Sequence, residues 1–218
     1  MTNDRETYIK QLESCIEQAI KPLKHIPFNL IIKSMSGYEV EFFDFQNQVH
    51  QEVLQLLIKT GNNLTNKTYP FNGRVNEFGN HIERIVKTEL NKLNIKADTP
   101  TNSQGKKVSS GYPDIEFEYK NKKYYLECKT FDKKNINDSF RSFYFSPEKN
   151  SKITTSTIHF LISFEKEKVE NGYLIKSFKI ISLNSMSCNL KSEFNASNKE
   201  MYSNNCGAEI LFDSNNLN

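Results

Sequence analysis

YPDIEFEYKNKKYYLECK, residues 112–129, reads as two β-strands with a tight connection, and its alternation is unusually informative. Alternate residues of a strand share a face. Ile115, Phe117 and Tyr119 are apolar and alternate with Asp114, Glu116 and Glu118; Tyr124, Leu126 and Cys128 alternate with Tyr125, Glu127 and Lys129. The pattern predicts strands over 114–119 and 123–130, joined around Asn121-Lys122. An even-length turn sets Ile115 against Cys128, Phe117 against Leu126 and Tyr119 against Tyr124, burying all six on one face. The same register sets Asp114 opposite Lys129 with Glu127 on the diagonal. A slip of one residue would separate the two sets, so the apolar pattern fixes the charged one. Two carboxylates and an amine at cross-strand range can hold a hard divalent cation such as Mg2+ beside a phosphate.

Working outward, a helix is expected over 74–93, with Val75, Phe78, Ile82, Ile85, Val86, Leu90 and Leu93 as its buried stripe. At about 100° per residue, Glu83 falls on the edge of that stripe, an acid aimed at the core margin. Residues 97–111 read as a polar loop carrying Lys106 and Lys107. After the hairpin come a long polar and aromatic segment, 131–152, an apolar strand over 157–164 and an Asn171-Gly172 hairpin turn. A strand over 173–183 follows, and a last strand is expected at 209–212. His159, inside an apolar strand, reads as a core histidine and Glu116 as a supporting acid. Nearer the N-terminus, helical spacing predicts a helix over 4–24. Short strands are expected over 30–33 and 38–43. Asp44 should cap a helix running to about Lys59, stopped by Gly61, with 61–73 as loop.

Composition excludes more than it identifies. No run is long and apolar enough to span a membrane, and MTNDRETYIKQLE is polar and acidic, unlike a signal or transit peptide. The four cysteines form no CxxC pair and the four histidines are scattered, so zinc and a disulfide framework are not expected. These features point to a cytoplasmic setting. HExxH, a P-loop and GxSxG are absent. Net charge is only +3, yet 120–152 holds nine basic and four acidic residues. Attraction for phosphate should therefore concentrate there. Lys133, Lys134, Asn135, Arg141, Ser142 and Tyr144, together with Lys106 and Lys107, are the candidate DNA contacts, Arg and Asn being suited to guanine and adenine edges.

Pro113-Asp114, twelve residues, then Glu127-Cys128-Lys129, preceded by a helix with Glu83 and followed by an apolar strand, resembles the PD-(D/E)XK nuclease superfamily, which includes type II restriction endonucleases. The resemblance covers about 75–165. It implies an α/β restriction-endonuclease-like core, a mixed central β-sheet flanked by helices. Asp114, Glu127 and the main-chain carbonyl of Cys128 would be the metal ligands, Lys129 the catalytic lysine and Glu83 an additional active-site acid. Mg2+ would be the cofactor, double-stranded DNA the substrate, and 5′-phosphate and 3′-hydroxyl ends the product. A homodimer would cut both strands of a palindrome, and a cognate DNA methyltransferase would belong to the same system. More faintly, 138–147 and 193–199 resemble the NgoPII-like group of these enzymes. On this reading residues 1–70 form a helical packing or dimerisation region. Residues 71–218 form the catalytic core with its DNA-recognition loop and C-terminal strands. The alternatives are a repair or junction-resolving nuclease of the same superfamily, and a non-catalytic DNA-binding domain.

Overall fold

The computed structural model describes residues 2–21, 23–74, 77–109, 111–135 and 151–190. In chain order the elements are α1 (Thr2–Ile20), β1 (Leu23–Pro27), α2 (Phe28–Ser36), α3 (Gln48–Leu64), β2 (Lys67–Pro70), α4 (Phe78–Lys92) and β3 (Lys96–Asp98). They continue with β4 (Ile115–Tyr119), β5 (Lys122–Phe131), a single 3-10 turn (Lys133–Asn135), β6 (His159–Val169), β7 (Gly172–Ser182) and β8 (Ser187–Leu190). The chain divides into two compact units, one of Ile26–Cys188 and one of Met1–His25 with Asn189–Asn218. The second contains α1, whose Tyr8, Ile9, Leu12 and Ile16 are exposed. β1 and β8 pair as a small two-stranded sheet. Among the described residues no helix is long and apolar enough to cross a membrane.

The larger unit is built on a six-stranded sheet of order β2-β7-β6-β5-β4-β3. β5 and β6 run parallel, and the other neighbours are antiparallel. This is the mixed α/β arrangement expected. Even-numbered residues of β5 and β6, among them Tyr124, Leu126, Phe160 and Ile162, bury one sheet face against Val53 and Leu57 of α3 and Phe78, Ile82, Val86 and Leu90 of α4. Each such aliphatic or aromatic side chain contributes about 1.5–3 kcal/mol when fully buried. Tyr125 and Leu161 face the other way and pack with Phe28 and Ile32 of α2. The sheet is therefore covered on both faces.

Several local expectations change. Residues 28–36 form a helix where a strand over 30–33 was expected, because Phe28 and Ile32, four apart, bury one helical stripe and leave Leu30 exposed. A short apolar run does not distinguish the two by period alone. Of the strand expected over 38–43, only the bridge between Val40 and Thr157 forms. Asn47 caps α3, its side chain accepting from the N–H groups of Val49 and His50. Asp44 instead accepts from Gln46 N–H in a local turn. Gly61 does not stop α3 either. It is a helical glycine whose missing side chain lets the Phe178 ring of β7 lie against the helix. The loops at 61–73 and 97–111 each yield an edge strand, β2 and β3, recruited by pairing with β7 and β4.

The hairpin itself is shifted by two residues. Lys120 (φ 48°) and Asn121 (φ 62°) form a two-residue turn with both residues left-handed, the geometry that matches strand twist. Ile115 thus pairs with Leu126 and Phe117 with Tyr124. A shift of two preserves every face, so the buried set stands while the opposing partners change. An ion pair of Lys120 with Glu52 at 2.5 Å anchors the turn to α3.

Candidate active site

Continuing the observed register one step beyond Ile115–Leu126 sets Asp114 against Glu127 rather than Lys129. The Asp114 carboxylate accepts a hydrogen bond from Cys128 N–H at 2.8 Å. On the same side of β5, Lys129 Nζ lies 2.5 Å from Glu127 Oε1. The hairpin and its apolar face are thus sufficient to gather Asp114, Glu127 and Lys129. Glu127 is only 2% exposed, and its second oxygen, Oε2, is buried with no hydrogen-bond partner. Leaving a carboxylate oxygen dry and unpaired is costly, and such an atom calls for an explanation.

Glu83 joins the cluster from α4. Burial first, and repulsion from Asp114 second, push its carboxyl up to about 7, against the pull of Lys129, Lys152 and Lys87. Lys87, one helical turn on from Glu83, turns to Asp98 and Thr99 rather than pairing with it. Burial likewise raises Glu127, with Asp114 adding to it, and raises Asp114 against the opposing charge of Lys129. Lys129 is held above its ordinary value although burial works against its charge, because Glu127 and Asp114 outweigh that cost. Burial and mutual repulsion thus disfavour full ionisation of Glu83, Asp114 and Glu127 together, a cost that a hard divalent cation could offset. Among the described residues no ready-made group of three or more His, Cys, Asp or Glu side chains at metal-binding spacing is present.

A groove of about 560 Å3 opens beside Asp114, lined by Asn80, Glu83, Arg84, Lys87, Thr99 and Ser109 among others. Its basic side chains, Arg84 and Lys87, were not singled out in the sequence, where they read only as the polar face of a helix. Glu116 is occupied structurally, paired with Lys123 at 2.9 Å and accepting from the Thr101 hydroxyl. His159 is a core residue as expected. It is fully buried, its Nδ1 is 2.6 Å from the Tyr112 hydroxyl, and burial pushes its pKa down to about 3.

The basic surplus of 120–152 narrows considerably. Lys120, Lys122, Lys123 and Lys129 are paired with Glu52, Glu41, Glu116 and Glu127, and Lys152 is buried. Lys133 and Lys134 remain exposed on the 3-10 turn that also includes Asn135, directly after β5. Lys106 is exposed as well, while Lys107 pairs with Asp98. Arg141, Ser142 and Tyr144, and both stretches resembling the NgoPII-like group, lie outside the described residues.

Comparison with known proteins agrees with this geometry. The family model described as "Type II restriction enzyme MjaV family" matches residues 22–205. A relative named type II restriction enzyme MjaV, from Methanocaldococcus jannaschii, is 40% identical over 91% of this chain and 94% of its own length. Type II restriction enzymes are site-specific deoxyribonucleases whose substrate is double-stranded DNA. With a matched span from 22 to 205 that contains the helix, the hairpin and the apolar strand of the site, the chain belongs to the type II restriction enzyme MjaV family.

Proposed function

We propose that this chain hydrolyses phosphodiester bonds of double-stranded DNA at a short specific sequence, in a Mg2+-dependent reaction leaving 5′-phosphate and 3′-hydroxyl ends. The observation that carries the reading is the buried Glu127 carboxylate, whose Oε1 accepts from Lys129 while its Oε2 is unpartnered. Asp114, Glu127 and the Cys128 carbonyl would hold the ion, which when bound supplies charge neutralisation and a more acidic water. The remaining chemistry is assigned to the chain's own groups. The Cys128 N–H fixes Asp114. Lys129, kept cationic by Glu127, offers a proton donor and a positive charge to the phosphate as negative charge develops on it. Glu83, with a pKa of about 7, can exchange a proton near neutrality. The groove containing Arg84 and Lys87 suits the DNA backbone leading to Asp114.

As the proposed partners, a second copy of the chain would supply the site for the other strand, with residues 1–70 as its packing region, and a cognate methyltransferase would protect host DNA. Incubation of the purified protein with phage DNA in Mg2+ or in EDTA tests the reading. Discrete fragments formed only with Mg2+ are expected. A metal-dependent smear, or a preference for branched DNA, would favour a repair nuclease, and binding without cleavage would favour a non-catalytic domain.

A further inference from the structure

Lys152 is a nearly fully buried lysine, 4% exposed, at the end of a segment that reads in the sequence as polar, aromatic and rich in basic residues. Its Nζ donates to the main-chain carbonyl of Gly111 at 2.6 Å and to that of Pro113 at 2.8 Å. Those two carbonyls flank Tyr112, and the second belongs to the residue directly before Asp114. The ammonium therefore grips the backbone that delivers the acid to the site. Two carbonyls alone need only a neutral donor, and burying a full charge for that purpose is unfavourable unless opposite charge is close. Opposite charge is at hand: Nζ holds the carbonyl of the residue directly before Asp114, and its charge works to lower the carboxyls of both Asp114 and Glu83.

We propose that Lys152 is a positioning residue of the active site, holding the Gly111–Pro113 backbone so that Asp114 meets Cys128 N–H and countering the charge of Asp114 and Glu83. It rests on the reading of Asp114 as an active-site acid. Lys152 acts through the backbone and lies buried beneath it, so DNA affinity should not depend on it. Partners at this remove typically change activity by about 10–100-fold when replaced.

The Cys128 amide provides a direct readout, since its N–H is the atom Asp114 accepts from. Lys152→Met and Lys152→Arg would be compared with the unaltered chain and with Asp114→Ala, measuring kcat and KM on phage DNA with Mg2+ and amide hydrogen exchange without metal. For Lys152→Met, kcat is expected to fall about 10–100-fold with KM within about twofold. Exchange should quicken at Cys128 but not at Leu126 or Thr130 on the same strand. Lys152→Arg keeps the charge, but a larger planar guanidinium does not fit the buried point that the compact ammonium occupies between the two carbonyls without displacing them. It should fold and still lose about tenfold in kcat. Unaltered kcat in Lys152→Arg, a loss appearing in KM, or exchange quickened uniformly along β5 would each overturn the proposal. If Lys152→Met does not fold, Lys152→Arg alone decides. Full activity in Asp114→Ala would instead remove the active-site reading itself.

Discussion

Asp114 is tied to Cys128: the carboxylate at the start of β4 accepts the N–H of the residue between Glu127 and Lys129 on β5. One hydrogen bond thus fixes the first acid relative to the other two groups. Without it, Asp114 would sit on a loop ending rather than in the hairpin's frame.

Lys129→Ala should lower cleavage of phage DNA by about 100- to 10,000-fold while leaving the fold intact. Lys129 is partly exposed and its 2.5 Å partner is Glu127, a member of the site rather than of the core. Asp114→Ala should abolish cleavage likewise. Plasmid nicking assays and circular dichroism melting check both; full activity in either variant would sink the site assignment.

Metal-free stability should fall as pH rises from 6.5 to 8. Glu83 titrates at about 7 in the folded chain and nearer 4.5 when unfolded. Between those values the folded state binds more protons, and stability declines as they are lost. Glu127 and Asp114 shift in the same direction. Below 6.5 the trend is opposed by His159, which stays neutral when folded. Melting in EDTA should show the decline, Glu83→Gln should make it shallower while Glu127 keeps the remainder, and Mg2+ should raise the melting temperature more at pH 8 than at 6.5, because metal and protons compete.

Arg84→Ala should weaken DNA binding at every sequence alike and reduce the salt slope of log affinity by about 1. Replacing Lys133 and Lys134 together by Ala should reduce it by about 2. Filter binding with Ca2+ in place of Mg2+, over a range of salt, measures these slopes. An unchanged slope for Arg84→Ala would take the groove beside Asp114 off the path of the DNA backbone.

Gly61→Ala should destabilise the chain by about 1–3 kcal/mol, because a methyl group there overlaps the Phe178 ring. Urea unfolding checks the cost. The cleavage rate of the folded fraction should be unchanged, since Gly61 belongs to α3 and not to the site.

Much of this site was legible because alternation is a strong signal. The apolar set Ile115, Phe117, Tyr124, Leu126 and Cys128 determines which residues share the opposite face, and a two-residue error of register leaves that conclusion standing. What escaped was whatever depends on turn geometry or on distant segments. A left-handed Lys120 is not predictable from its type, because its ion pair with Glu52 is a tertiary contact. Edge strands β2 and β3 form because β7 and β4 offer them partners, not because 67–70 or 96–98 has a strand pattern. The basic count over 120–152 misled for a similar reason, since Glu41 and Glu52 lie far away in sequence. Lys152 has no sequence signal of burial at all.

The chain leaves the site after β5 and is pinned beside it again where Lys152 holds Gly111 and Pro113. Both ends of the intervening segment are therefore anchored by the same site. Lys152 stands 39 residues after Pro113 in the chain, so the backbone that delivers Asp114 is held in place only once the chain beyond the hairpin has docked, and the site closes late in folding even though its hairpin is local.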